Sequence, residues 1–292
     1  MKKISGMGFP IYSVHVEMDI NHYSWENLKK LVFLLDAFIR KASTSNKEDA
    51  IILGAIVRIL KIGKSFLKLS GQMNLTGQMS LTRLSFETMT NVGYLIRSKD
   101  SKRYIKYYKN GLKSEQALLK KIESNIEKRG KIIPIEERMI SSIKSTAEKA
   151  DMNLTEVRSI PKPKEIKFPN VRDRSLLIDP SGNLYTLYKS SSSEIHGDFN
   201  NIVKYDINFD TSSKSFIPVL DDNYADTRII NGMAKIIVIL INIILDTSLF
   251  INSNLIQFSD PISKNMFLKI FEKTKCLINK SEQIHEDFLE SR

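Results

Sequence analysis

Apolar side chains recur at intervals of three and four along most of the chain, a period that predicts helices. Residues 1–22 are the first exception: Ile11, Val14 and Val16 suggest an extended arm. A helix capped near Asn21 or Ser24 then carries Trp25, Leu28, Leu31, Leu35 and Phe38, and the polar stretch 42–46 ends it. A second runs over 47–69 through Ile51, Leu53, Ile56, Leu60, Phe66 and Leu69, before a turn at Gly71 and Asn74. A third spans 76–98, where Arg83 and Glu87 are the only charged residues between Thr76 and Ile96. A helix so poor in charge belongs in the interior. A fourth spans 100–128 on Ile105, Tyr108, Leu112, Leu119, Ile122 and Ile126, and Gly130 ends it. A fifth opens at Pro134, with Glu136 and Glu137 in its first turn, and reaches Met152.

The period then lapses. Pro161, Pro163 and Pro169 stand among lysines in 158–172, which reads as an extended connector inside the domain. Asp179-Pro180-Ser181-Gly182 is a turn signal. Residues 188–196 fit a short helix, and their four serines leave a Ser-rich loop as the alternative. Residues 202–219 read as extended on either side of Asp210-Thr211-Ser212-Ser213, which suggests an extended excursion or a small hairpin. A strongly apolar helix over 222–251 and a last one over 261–289 complete the chain. The ten-residue apolar run Ile236–Leu245 is too short to span a bilayer and reads as the centre of a buried helix. The expectation is an all-α fold: one bundle-like domain, residues 1–292, of about seven helices with a short β-like insertion.

Composition changes little. The 42% hydrophobic and 26% charged residues of the 292 are ordinary for a globular chain. The net charge of +11 (pI near 9.4) does change the picture, because it favours an anionic partner such as RNA. Between Lys99 and Lys131 eleven basic residues face four acidic ones. Lys99, Lys102, Arg103, Lys106, Lys109 and Lys113 fall along one side with Tyr104 and Tyr107 among them, a nucleic-acid-binding candidate or a plain solvated face. Cys276 is the one cysteine, so no internal disulfide and no Cys-based zinc site can form, and a cytoplasmic setting fits. Met1-Lys2-Lys3 opens like a signal peptide, but Pro10, His15 and Glu17 interrupt the run that follows.

Standard nucleotide loops, the G-x-S-x-G elbow, H-E-x-x-H and paired Glu-x-x-His motifs are missing from the sequence, so we expect no metal and no cofactor. Two polar rows remain. Arg83 and Glu87 share a face of the central helix, continued by Asn91 and Tyr94. Tyr188, Ser192 and His196 stand at i, i+4 and i+8 before Gly197. Metal-independent RNA cleavage by transphosphorylation needs little more. A histidine moves protons to and from the 2′- and 5′-oxygens, and an arginine stabilises the phosphorane. His196 and Arg83 are the candidates, with Glu87 orienting, Tyr188 and Ser192 positioning, and Lys189 as a further cation. Both rows equally suit a buried structural network.

The patterns Arg83-x-x-x-Glu87 and Tyr188-x-x-x-Ser192-x-x-x-His196-Gly197 resemble those of a helical bacterial family known only as a domain of unknown function (5677 type), over roughly residues 50 to 250. More loosely, the chain is similar to the higher-eukaryote-and-prokaryote nucleotide-binding (HEPN) ribonucleases of toxin–antitoxin and abortive-infection systems. Where those carry an arginine a few residues before the histidine, this chain has Lys189, with six residues between it and His196. The resemblance implies an endoribonuclease effector, a homodimer and a partner protein from a defence or antitoxin system, with no membrane partner. A non-catalytic helical interaction module and a nucleotide- or anion-binding helical protein stand beside it.

Overall fold

The structure is a computed structural model that describes residues 11–40, 46–71, 75–186, 188–189, 207–210, 212, 215–218, 227–245 and 261–290. The all-α expectation holds: eleven helices and one two-stranded hairpin stand among the described residues. They fall into two compact units, Met1–Ile96 with Arg174–Arg292, and Arg97–Asp173.

The first unit holds α1 (Ile11–Ile39), α2 (Lys47–Gly71) and α3 (Leu75–Arg97, but for its last residue). It also holds α10 (Thr227–Leu245) and α11 (Pro261–Glu290). Helix α1 packs on α2, α10 and α11. Met233, Ala234, Ile236, Ile237 and Leu240 on α10 are wholly shielded from solvent. Gly63 permits a close crossing: a Cβ there would meet Val32 of α1 at 3.0 Å and Ile237 and Met233 of α10 just beyond. The window Arg228–Leu245 has the length and composition of a membrane span, yet 72% of it is buried against protein. It is the core helix that its apolar run predicts. Of the two readings around Asp210 the hairpin forms, as β1 (Ile207–Asp210) against β2 (Ser215–Pro218), antiparallel with Asn208 opposite Ile217.

The second unit is built from α4 (Arg103–Gly111), α5 (Lys113–Arg129), α6 (Pro134–Glu148), α7 (Leu154–Arg158) and α8 (Pro163–Ile166). Helix α9 (Val171–Leu176) straddles its end. Leu112, Leu119, Ile122, Ile143, Ala147, Val157, Ile160 and Ile166 form its core. The Gln116 amide donates to the carbonyls of Arg158 at 2.9 Å and Ile160 at 2.8 Å, which fastens α5 to the end of α7 and the chain just beyond it. Pro134 opens α6, and Glu136 in its first turn accepts from the Ile133 N–H at 3.2 Å and from the Arg129 guanidinium.

Three expectations need correction. The supposed arm is helical from Ile11 onward, because Ile11, Val14 and Met18 already stand at i, i+3 and i+7. The helix expected over 100–128 is two, divided at Leu112, whose ψ of 6° departs from the helical value. The connector 158–172 contains α8 and the start of α9. Pro163 occupies the first turn of α8, where its missing N–H costs nothing. Of the helix expected over 222–251, Thr227–Leu245 is helical and the rest lies outside the described residues.

Candidate functional site

The polar face of α3 is built as its sequence suggests. Gln78, Thr82, Ser85 and Met89 turn inward, and the opposite side carries Arg83 and Glu87, half-buried. Arg83 Nε donates to Glu87 Oε1 at 3.1 Å, with the side chains 18% and 34% exposed. A chain segment far away in sequence completes the group. The Tyr188 hydroxyl donates to the same Glu87 oxygen at 3.1 Å and accepts from Arg83 Nη2 at 3.4 Å. The three side chains form a closed ring of hydrogen bonds.

Two local devices deliver Tyr188. The Asp179 carboxylate accepts the Ser181 N–H at 3.0 Å and the Leu184 N–H at 2.7 Å. Gly182 takes the left-handed conformation (φ +80°), so the Asp179-Pro180-Ser181-Gly182 turn launches the helical turns at 183–186 and 188–189. The Ser181 hydroxyl first, then the Leu184 N–H, hold the Asp179 carboxyl below the usual range. Gly93 then lets Ile178 against α3: a Cβ there would lie 2.4 Å from Ile178 Cδ1. The Tyr188 ring stacks on Phe86 (centroids 5.1 Å apart) and on Tyr185 (5.7 Å). The Arg83 guanidinium lies 5.4 Å from the Tyr188 ring centre.

Burial works against the Arg83 charge, but the hydrogen bond to Glu87 and the proximity of Tyr188 outweigh it and raise the guanidinium above its usual value. Arg83 is a fixed cation with a set orientation. One turn along α3, Asn91 Oδ1 is a buried acceptor with no partner among the described residues. Tyr94, expected on the same face, is 2% exposed and belongs to the core. Lys189 is exposed beside Tyr188. Ser192 and His196 lie outside the described residues. The basic candidates Lys99, Lys102, Arg103, Lys106, Lys109 and Lys113 all belong to the second unit. Lys99 and Lys102 are exposed, Lys106 is bonded to Asp100 and Lys113 to Asn110. No group of three His, Cys, Asp or Glu side chains gathers among the described residues.

Residues 49–215 match a family of unknown function (DUF5677). The chain belongs to that family. The DUF5677 match takes in Arg83, Glu87, Tyr188 and Lys189 together with the whole second unit. No curated protein and no solved structure matches the chain. Sequence reasoning missed Phe86, Tyr185 and Asp179. The spacing of Tyr185 three before Tyr188, and the Asp179 turn upstream, carried the signal for two of them.

Proposed function

We propose that the chain is an RNA-acting protein, a metal-independent endoribonuclease of the HEPN-like kind that serves in toxin–antitoxin or phage defence. The observation that carries this reading is the hydrogen-bonded ring of Arg83, Glu87 and Tyr188, which ties the two polar sequence rows together across 105 residues. Arg83 binds the scissile phosphate and stabilises the phosphorane as its charge develops. Glu87 and Tyr188 fix the guanidinium fork. His196, eight residues beyond Tyr188, takes the 2′-hydroxyl proton and returns one to the 5′-oxygen as the P–O5′ bond breaks and a 2′,3′-cyclic phosphate forms. Ser192 and Asn91 position the strand, and Lys189 adds charge. The working form is a cytoplasmic homodimer, with two such rows facing one groove and a partner protein that restrains it.

One observation favours a second reading. The ring is closed on itself and its tyrosine is stacked between two aromatic rings, as in a structural lock. Here the same residues hold a non-catalytic interaction module together. A single experiment decides. Wild type, Arg83→Lys, Tyr188→Phe and His196→Ala are incubated with total RNA and chelator, and each is melted. The ribonuclease reading expects cleavage by wild type, none by His196→Ala, and a loss of about 10²–10³-fold for Arg83→Lys with melts nearly unchanged. Intact RNA with wild type, and melts lowered by several degrees in the variants, establishes the lock instead.

A further inference from the structure

Charge alone does not single out the ring of Arg83, Glu87 and Tyr188. Twenty of the 44 basic residues and eleven of the 33 acidic ones fall in Arg97–Asp173, so the second unit carries +9 of the net +11, and the ring stands in the first. What singles the ring out is the way its one carboxylate is bonded. A carboxylate whose one task is to hold a guanidinium does so best with both oxygens, fork to fork. Glu87 uses one. Its Oε1 accepts from Arg83 Nε at 3.1 Å and from the Tyr188 hydroxyl at 3.1 Å, while Arg83 Nη2 donates to the Tyr188 oxygen at 3.4 Å. The guanidinium is therefore held through Oε1 and the tyrosine, and Oε2 takes no part. Oε2 accepts from no group among the described residues. The side chain is 34% exposed, and Oε2 is not shut away from solvent.

We propose that Glu87 is a catalytic residue, the general base that takes the 2′-hydroxyl proton on Oε2. That oxygen is aimed, because two donors from two segments, Arg83 on α3 and Tyr188 beyond it, pin Oε1 and fix the carboxylate in orientation. It is open, because nothing else among the described residues bonds to it. It is also well placed. The attacking 2′-hydroxyl sits on the sugar next to the phosphate that Arg83 binds in the reading above, and Glu87 is bonded to that guanidinium. The step balances. The proton passes from O2′ to Oε2 as the O2′–P bond forms. The P–O5′ bond breaks with its electron pair on O5′, which takes a proton from His196, and Glu87 then gives its own proton to water. This inference rests on the ribonuclease reading and divides between two groups the transfers given there to His196 alone.

Total RNA treated with the full chain first locates a linkage that wild type cuts. A DNA strand with a single ribonucleotide at that linkage is then made with oxygen or with sulfur as the 5′-leaving atom, since a thiolate leaves without help from an acid. Rates of wild type, Glu87→Gln, Glu87→Asp and His196→Ala are followed from about pH 5 to about pH 9, and each chain is melted. Glu87→Gln keeps an acceptor for Arg83 and Tyr188 and is expected to lose about 10²–10⁴-fold on both strands. His196→Ala is expected to be slow on the oxygen strand and within about tenfold of wild type on the sulfur one. On the sulfur strand the wild-type rate reaches a plateau as pH rises. The residual rate of Glu87→Gln rises about tenfold per pH unit instead, because hydroxide replaces the missing base. Glu87→Asp keeps the plateau at a lower rate.

A Glu87→Gln rate within about tenfold of wild type overturns the inference. So does a plateau kept in that variant, which is what a residue that merely orients Arg83 would leave behind, and so does a His196→Ala chain that stays slow on the sulfur strand. Loss of cleavage in both Glu87 variants, with melts lowered by several degrees, overturns it in favour of the lock. A wild type that cuts no RNA ends the ribonuclease reading and this base with it. A wild type that cuts, beside a Glu87→Gln chain that keeps the plateau, ends the base alone, so the two failures are told apart.

Discussion

The two units solve different problems with the same kind of element. The first is nearly neutral, with 24 basic and 22 acidic residues, and is organised on α10, whose inner positions are closed to solvent. The second is about a quarter of the chain, has a core of eight buried side chains and carries most of the net charge. It is inserted in sequence between the two halves of the polar ring, after Arg83 and Glu87 and before Tyr188. The ring therefore belongs to the first unit alone. The fixed, half-buried polar ring sits in the unit with the larger core, and the broad cationic surface in the unit with the smaller one. Rigid positioning needs packing on all sides, whereas charge needs only exposure.

The comparison is broken most directly in the cores. Ile237 and Leu119 are both wholly buried, one in each unit. Ile237→Ala and Leu119→Ala are each expected to cost about 2–5 kcal/mol. If each unit has its own core, amide exchange in the Ile237 variant rises through α10 and its neighbours and spares α5 and α6, while Leu119→Ala does the reverse. Exchange that rises everywhere in both variants would mean one cooperative structure.

Ion pairs sharpen the contrast at a smaller scale. Glu136 is 5% exposed and accepts from Arg129 and from the Ile133 N–H, so Glu136→Ala leaves both donors without it and is expected to cost about 1.5–3 kcal/mol. Glu87 is a third exposed, and Glu87→Gln keeps an acceptor for both Tyr188 and Arg83. A loss below about 1 kcal/mol by urea unfolding is expected there. Should Glu87→Gln prove the more costly, the ring of the first unit is a stability element and the structural lock gains. Between these two in size is Asp179→Ala. It removes the acceptor that starts the turns bearing Tyr188 and is expected to cost about 1 kcal/mol, and to lower cleavage more than RNA binding.

Much of this was legible beforehand, and the failures have physical causes. The charge-poor stretch around Arg83 and Glu87 foretold a largely buried helix, and α3 is one. The run Ile236–Leu245 foretold a core helix, and α10 is one. The extended residues around Asp210 suggested a hairpin as one reading, and one forms. The break between α4 and α5 did have a signal, Asn110-Gly111 just before Leu112, but the apolar period runs on through Leu112 and Leu119 and masks it. The division into units was equally silent: the boundary at residues 96 and 97 falls inside α3, with no proline or glycine beside it. At the candidate site, the partners on one helix were legible because i, i+4 spacing fixes them. That Tyr188 meets Glu87 was not, since no local pattern encodes a contact 101 residues away.

The smallest effect expected is at the acid limb, and it tests the charge contrast itself. Asp36 in the first unit is held below the usual carboxyl range by Lys64 and then Arg40, and Asp100 in the second by Lys106 and the Lys102 N–H. A depressed folded pKa stabilises the fold above the unfolded value, about 3.9, and that contribution disappears as pH falls through the folded value. Both units therefore ignore these groups between pH 5 and 8 and weaken slightly below about pH 4. The consequences differ. Protonating Asp36 removes one charge from a nearly neutral unit. Protonating Asp100 frees Lys106 within the cationic row and adds to the self-repulsion of a unit already at +9. Salt screens that repulsion, so added salt at pH 3.5 is expected to slow amide exchange in α4 and α5 while leaving the fluorescence of Trp25, the only tryptophan and a reporter of the first unit, unmoved. If salt shifts both signals together, the charge of the second unit is not a local burden and the contrast between the two regions fails at its weakest point.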